Sequence, residues 1–252
     1  MKLIYIPTYN CEKTIASVIN GIKNICRDNF ILVVDDSSKD RTFEISKKLA
    51  DHVIRNQKRL GYGGNQKVAF RFFVENSFDK ILMIHGDGQH NPVHIPKFFK
   101  SIDDDSVGLI IGSRMSDKLS AIRGGMPYIK FIVNMFLTYL ENKTLGLNLS
   151  EFHSGYRCYS FKAAQTIYNF IDKLSDDFIF DQQVIFLLTE FGFKIKEIPV
   201  ETIYNKYSSH IGILPGTKYF FQVILHCIKF SFNNKNKKNF IRRLAKNPCK
   251  LQ

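Results

Sequence analysis

Three short polar stretches hold most of the chemistry that this sequence can offer. They read Pro7-Thr8-Tyr9-Asn10-Cys11-Glu12, Asp35-Asp36-Ser37-Ser38-Lys39-Asp40-Arg41-Thr42 and His85-Gly86-Asp87-Gly88-Gln89-His90. Any one of them could be a turn, because Asp-Ser and Asp-Gly are common turn pairs. Together they bring five carboxylates, and each follows a short apolar run. Clustered acids repel one another, so such a group is stable when it binds a cation or hydrogen-bonds a ligand. A hard divalent ion held by one or two carboxylates, with substrate phosphates completing its shell, suits a nucleotide diphosphate.

The elements that must carry these residues are legible in the first half of the chain. Apolar runs at Leu3–Ile6, Ile31–Val34, Ile81–Ile84 and Leu109–Ile111 suit strands covered on both faces. Helix-length segments lie between them, near 12–24, 40–50, 64–76 and 92–103. That alternation predicts an α/β fold with a doubly wound, mostly parallel sheet and helices on both faces. Ligands then bind beyond the carboxyl ends of the strands, where the three polar stretches fall.

The second half is less regular. Lys130, Asn134, Thr138 and Glu141 fall at helical spacing and leave an apolar face of Phe131, Ile132, Met135, Phe136, Tyr139 and Leu140. Lys218, Gln222, His226 and Lys229 form a similar narrow polar stripe. Neither stretch reaches the ~18–20 uninterrupted apolar residues of a spanning helix. Two readings stand for them: helices of the core, or helices lying in a membrane interface.

Composition sets the class. With 252 residues, 44% of them hydrophobic and 23% charged, the chain suits one globular domain with a sizeable core. Five scattered cysteines without a C-x-x-C pair argue for reduced thiols and against a disulfide frame or a zinc site. The start of the chain has no secretory pattern, so a cytoplasmic setting is expected. Residues 233–252 hold seven basic residues and no acid, which is more than half of the net charge of +13. Such a tail is either a solvated end or an address for phosphates, as in anionic lipid. A nucleic-acid-binding module would explain the tail but not the carboxylates, so no nucleic-acid partner is expected.

The three stretches, in this order, resemble glycosyltransferase family 2 with its GT-A fold. The likeness runs from residue 3 to about 212. It is greatest to the branch of dolichyl-phosphate mannose synthases and polyprenyl-phosphate sugar transferases. P-T-Y-N-x-E resembles the family's opening motif, which implies nucleoside contacts for Pro7, Tyr9, Asn10 and Glu12. D-D-S-S-K-D-R-T resembles D-D-G-S-x-D-x-T and implies that Asp36 meets the nucleoside. Asp40 looks instead like a helix cap, since Thr42 and Glu44 follow it. N-Q-K-R-L-G-Y-G-G-N resembles a glycine-rich loop passing near the donor, with Gly61 in contact. In H-G-D-G-Q-H the family usually has D-A-D-x-Q-H. The resemblance makes Asp87 the principal ligand of a divalent metal, Mg²⁺ or Mn²⁺, with Gln89 assisting. His85 replaces the first aspartate and could ligate metal through a ring nitrogen or hydrogen-bond a phosphate.

The acceptor side is read the same way. Arg114 ends the Ile111-Gly112-Ser113-Arg114 stretch, and Arg123 and Lys130 follow. In lipid-phosphate transferases the corresponding arginines grip the acceptor phosphate, a task suited to the planar guanidinium fork. Ser154-Gly155-Tyr156-Arg157 resembles the family's S-G-[FY]-R segment near the donor sugar, and His153 beside it could move a proton or simply hydrogen-bond. Asp181 is the best match for the family's base toward hydroxyl acceptors, with Asp177 second. Residues 202–211 resemble a closing loop over the donor.

These readings imply an inverting glycosyltransferase using a nucleotide-diphosphate sugar. The leading acceptor is a polyprenyl-phosphate lipid at the inner membrane face, with the basic tail on the membrane surface. A saccharide hydroxyl is the alternative acceptor, and a non-catalytic nucleotide-sugar-binding protein is the alternative of another class. The expected division is a domain over 1–212, split into a nucleotide-binding half (1–114) and an acceptor-side half (115–212). An amphipathic helix and basic tail fill 213–252.

Overall fold

The computed structural model describes residues 1–104, 106–201 and 212–232. Its centre is a seven-stranded sheet in the order β3-β2-β1-β4-β6-β5-β7. The strands are β1 (Lys2–Thr8), β2 (Phe30–Asp35), β3 (His52–Arg55), β4 (Lys80–Met83), β5 (Val107–Ser113), β6 (Arg157–Ser160) and β7 (Lys194–Pro199). All but β6 run parallel; β6 lies antiparallel between β4 and β5. Its beginning therefore sits where its neighbours end, and the residues just before it reach the ligand edge of the sheet.

The apolar runs are continuous because both faces of each strand are covered. Leu3 and Tyr5 of β1 belong to one core, Ile4 and Ile6 to the other. The same alternation divides Leu32 and Val34 from Ile31 and Val33 on β2. The second of these cores is closed by α1 (Ile15–Ile25), α2 (Thr42–Leu49) and α4 (Ile95–Ser101). In α1 the buried residues Ile15, Val18, Ile19 and Ile22 recur at helical spacing. On the opposite face lie α3 (Gly61–Glu75), α7 (Phe161–Phe170) and α8 (Phe180–Glu190). Phe70, Phe73, Phe180 and Phe186 are buried there, each worth about 1.5–3 kcal/mol of transfer free energy.

The short helix α5 (Lys118–Arg123) leads into α6 (Tyr128–Leu145), and α9 (Ile213–Phe232) packs against α6. These are the two stretches with narrow polar stripes, and α6 has the reverse of an ordinary surface helix's orientation, while α9 keeps Lys218 and Lys229 exposed. In α6 the polar residues Asn134, Thr138 and Glu141 are buried, while Ile129 is 70%, Ile132 59% and Tyr139 61% exposed. In α9, Val223, Cys227 and Phe230 join the core, whereas Phe221, Leu225 and Ile228 face outward. Phe136 and Phe220 stack 6.1 Å apart where the helices meet. The helix α9 is thus docked on the domain. The basic tail at 233–252 and the closing-loop candidate at 202–211 lie outside the described residues.

Candidate active site

Two clefts open at the carboxyl edge of the sheet and share a wall of Tyr62, His85, Phe178 and Tyr219. The larger, about 900 Å³, is lined by Pro7, Tyr9, Asp36, Gly61 and Asp87 among others. Five residues expected at the nucleotide-sugar site therefore meet in one space, drawn from the ends of β1, β2 and β4 and the start of α3.

Of the paired aspartates, Asp36 is the one on the cleft. Its Oδ1 accepts from Asn56 Nδ2 (2.9 Å) and the Leu60 amide (2.8 Å), and its Oδ2 accepts from the Gly61 amide (3.1 Å). One carboxylate thus fixes the glycine-rich turn against the cleft. Asp35 is fully buried, with its Oδ2 3.5 Å from Arg55 Nε, and burial raises its pKa. The turn also needs its glycines: a Cβ on Gly63 would lie 2.4 Å from the Ser175 carbonyl oxygen. Arg59 places its guanidinium 3.9 Å from the Tyr9 ring centroid at the cleft mouth, a cation–π contact.

Asn10 and Glu12 take another part. The Asn10 side chain accepts from the Lys39 amide, and the Asn10 amide donates to Ser38 Oγ, both at 2.9 Å. Glu12 accepts from the Arg41 amide, which lowers its pKa, and its own amide donates to Asp40 (3.1 Å). Asp40 also accepts from the Thr42 amide at 3.0 Å. These bonds latch the loops after β1 and β2 together. Asp40 does the work of a cap one residue ahead of α2, whose N-cap position is Arg41.

Asp87 is 2% exposed at the floor of the larger cleft. It accepts from the Gln89 amide (3.1 Å) and from Gln89 Nε2 (2.6 Å). His85 stands between Tyr62 and His90, with ring centroids 5.9 and 5.5 Å away. Burial lowers its pKa and favours the neutral ring, and its Nε2 has no hydrogen-bond partner. A neutral imidazole and a carboxylate are both acceptable ligands for a divalent ion. The described residues contain no group of three or more His, Cys, Asp or Glu that could hold a metal by themselves. Asp87 and His85, both on the larger cleft, are the donors that a diphosphate-bound ion would meet there.

The second cleft, about 660 Å³, is lined by Arg114, Lys130, Asn134, His153 and Asp181 together with apolar side chains such as Met126, Ile129 and Phe220. Arg114 is held by fully buried Glu151, which accepts from its backbone amide (2.8 Å) and its Nε (2.9 Å). Asn134 of α6 donates to the same carboxylate at 2.8 Å. Burial alone would raise the Glu151 pKa, but the Arg114 charge and these bonds hold it below the usual range. Arg123 ends α5 as an exposed residue, and Lys130 is the cation that lines this cleft beside Arg114.

Asp181 also reaches this cleft, but its oxygens are engaged. Tyr62 Oη and Gln66 Nε2 each donate to it at 2.9 Å, and buried Arg157 lies 3.2 Å away. Asp177, the second candidate, pairs with Lys218 of α9 at 2.6 Å on the side of the larger cleft.

Some residues of the site carried no clear sequence signal. Tyr62 and Gln66 sit in the first turns of α3 and Tyr219 in an apolar run of α9. His153 Nδ1 lies 2.7 Å from Tyr219 Oη, and its Nε2 lies 3.1 Å from Oε2 of fully buried Glu141. The helical spacing of Glu141 with Asn134 and Thr138 was the available clue, and it concerned a helix face rather than a site.

Residues 3–168 match the family described as Glycosyl transferase family 2. An uncharacterized protein of Methanocaldococcus jannaschii is 33% identical over 89% of this chain and 91% of its own length. The UDP-N-acetylglucosamine–dolichyl-phosphate N-acetylglucosaminyltransferase of Methanococcus voltae is 28% identical over 89% of this chain and 96% of its own. Among solved structures, glucosyl-3-phosphoglycerate synthase from Mycobacterium tuberculosis, in complex with Mg²⁺ and UDP, superposes with a TM-score of 0.64. It is 17% identical and covers 90% of this chain and 78% of its own, a likeness of fold. The sheet with its one reversed strand is accordingly the GT-A fold. The chain belongs to glycosyltransferase family 2.

Proposed function

We propose that this glycosyltransferase moves a sugar from a UDP- or GDP-linked donor to a polyprenyl- or dolichyl-phosphate-type lipid at the cytoplasmic membrane face. The observation that carries the reading is the exposed apolar surface that α6 and α9 share beside the second cleft. Lys130 and Asn134 of α6 line the second cleft and Lys218 and Gln222 of α9 the first, while Ile129 and Ile132 of α6 and Phe221 and Leu225 of α9 are exposed. A lipid acceptor needs that arrangement: a cationic pocket for its phosphate, here Arg114 and Lys130, opening next to an oily surface for its chain. The dolichyl-phosphate transferase among the relatives supports it. So does the basic tail, which would attract anionic lipid. No helix among the described residues is long and apolar enough to cross a membrane, so the contact would be peripheral.

In this reading the nucleoside lies along Pro7, Tyr9, Asp36 and Gly61, and the diphosphate lies toward Asp87 and His85. An acceptor phosphate oxygen attacks the anomeric carbon from the face opposite the diphosphate. The C1–O bond to the diphosphate breaks, the anomeric centre inverts, and a nucleoside diphosphate leaves. Asp87, His85 and Gln89 would hold a divalent ion, Mg²⁺ or Mn²⁺, which supplies charge stabilisation for the leaving diphosphate. An acceptor phosphate is already ionised at neutral pH, so a strong base is not required. That agrees with an Asp181 whose oxygens are occupied by Tyr62, Gln66 and Arg157. The second reading, a saccharide hydroxyl as acceptor with Asp181 as base, draws on the presence of that carboxylate in the acceptor cleft.

The test is transfer of radiolabel from UDP-, GDP- and dTDP-sugars to a short polyprenyl phosphate, with and without Mn²⁺. Label in an organic-soluble product is expected, and Asp87→Ala should abolish it. Label found only in a water-soluble saccharide would replace the lipid acceptor with a hydroxyl one. Near-normal turnover in Asp87→Ala would sink the site assignment.

A further inference from the structure

The contact among Glu141, His153 and Tyr219 joins three separate parts of the fold. Glu141 lies in α6, His153 in the loop before β6, and Tyr219 in α9, beyond the residues that match the family. Tyr219 lines both clefts, at the wall where donor and acceptor groups would meet. Its hydroxyl is 2.7 Å from His153 Nδ1, with the two rings edge to face. On the far side of the imidazole, Nε2 lies 3.1 Å from Glu141. Among the described residues that ring is the one basic side chain within ion-pair distance of Glu141, and the carboxylate makes no hydrogen bond. A fully buried carboxylate is costly unless it is paired. The arrangement therefore has a purpose that packing alone would serve better with apolar residues.

We propose that Glu141 and His153 are positioning residues that hold the Tyr219 hydroxyl as a donor to a phosphate group at the junction of the two clefts. When His153 donates its Nδ1–H to the phenolic oxygen, the Tyr219 proton is left for an acceptor in the cleft. Burial, with the Glu141 and Asp181 charges, raises the phenol pKa and keeps that proton in place. Lys130 and Arg114 on the second cleft, and Lys218 beside Asp177 on the first, are the cations that an anion at this junction would meet. The phosphate could come from the donor diphosphate or from the lipid acceptor. The inference deepens the reading of this site as a glycosyl-transfer centre and rests on it.

The test compares the wild type with Tyr219→Phe, His153→Asn and the double variant of the full chain. Two phosphate probes are titrated by calorimetry: farnesyl phosphate, and whichever of UDP, GDP and dTDP the wild type binds best. Thermal melting is followed in parallel. Loss of a hydrogen bond to a charged group should weaken one probe roughly ten-fold or more in Tyr219→Phe, with little change in melting temperature. His153→Asn should lose a similar factor, and the double variant no more than either, because the two act as a unit. A loss confined to the nucleotide assigns the hydroxyl to the donor, and a loss confined to farnesyl phosphate assigns it to the acceptor. Wild-type affinity for both probes in all variants would overturn the proposal. So would unchanged affinity with additive losses of melting temperature, since that describes a clamp on α9 only. If the wild type binds a nucleotide but glycosylates no lipid phosphate, the acceptor reading fails alone, and the hydroxyl is still judged on the nucleotide arm.

Discussion

The Cβ that Gly155 lacks would lie 2.2 Å from Nε2 of His85. The glycine of S-G-Y-R and the histidine of H-G-D-G-Q-H thus occupy one space, although 70 positions separate them in the sequence. Gly155→Ala should destabilise the protein by about 1–3 kcal/mol, the usual cost of overpacking. His85→Ala should remove most of that cost, so the double variant should be more stable than the two single losses predict. Urea unfolding of the four proteins measures the coupling, and strict additivity would show that the imidazole can swing away.

Glu151 holds Arg114 in the second cleft from a fully buried position. Glu151→Ala should cost about 3–5 kcal/mol, because a buried charge loses its partner. Glu151→Gln should keep the shape and release the guanidinium. Steady-state kinetics should then show a raised KM for the phosphate acceptor with the nucleotide affinity unchanged. A rise in donor KM instead would move Arg114 to the other substrate.

Burial lowers the pKa of His226, on α9, to about 4, with Lys229 adding to the shift. The unfolded chain takes up a proton at this ring near pH 6.5, whereas the folded protein does so only near 4. Between those values the unfolded state binds more protons, so this residue makes stability fall as the pH drops. Melting temperatures from pH 7 to 4 should decline less steeply in His226→Gln than in the wild type. Parallel curves would place the acid sensitivity elsewhere.

The outward side chains of α6 can be tested without substrate. Ile129→Ser with Ile132→Ser should reduce sedimentation with vesicles containing anionic phospholipid, while leaving affinity for the nucleotide intact. Removing residues 233–252 should instead make binding to those vesicles less dependent on salt, since screening acts on charge. Equal binding by the wild type and the serine variant would exclude this face from the membrane contact.

Much of this was legible in the sequence because parallel strands covered on both sides leave unmistakable apolar runs. The polar residues that follow them could therefore be placed at the carboxyl edge. Pro7, Tyr9, Asp36 and Asp87 were brought together by that rule, whereas Gly61 came only through the resemblance of its glycine-rich loop. Asn10 and Glu12 share the same loop, but their side chains turn to backbone amides of the next loop, which no spacing reveals. The short strand β6 has no alternation to betray it, since Arg157, Cys158 and Tyr159 are all buried. The stripe of α6 was visible, but its direction was not. A narrow polar face reads the same whether it meets water or a buried site, and Glu141 decides the matter only through His153 in another loop.

The strand β6 has a consequence for the order in which the molecule can be made. β4 and β5 follow one another in the chain, yet the sheet keeps a place between them that is filled only by residues 157–160. A nascent chain emerging from its amino end has β1, β2 and β4 long before it has the strand that joins them to β5. The first 114 residues therefore cannot close their own sheet, even though they contain Pro7, Tyr9, Asp36, Gly61 and Asp87 of the larger cleft. Pairings this distant in sequence are slow to form, because loop closure must precede them. The clefts at this edge are thus completed late in synthesis, by the segment that also delivers Gly155 to His85 and Arg157 to Asp181.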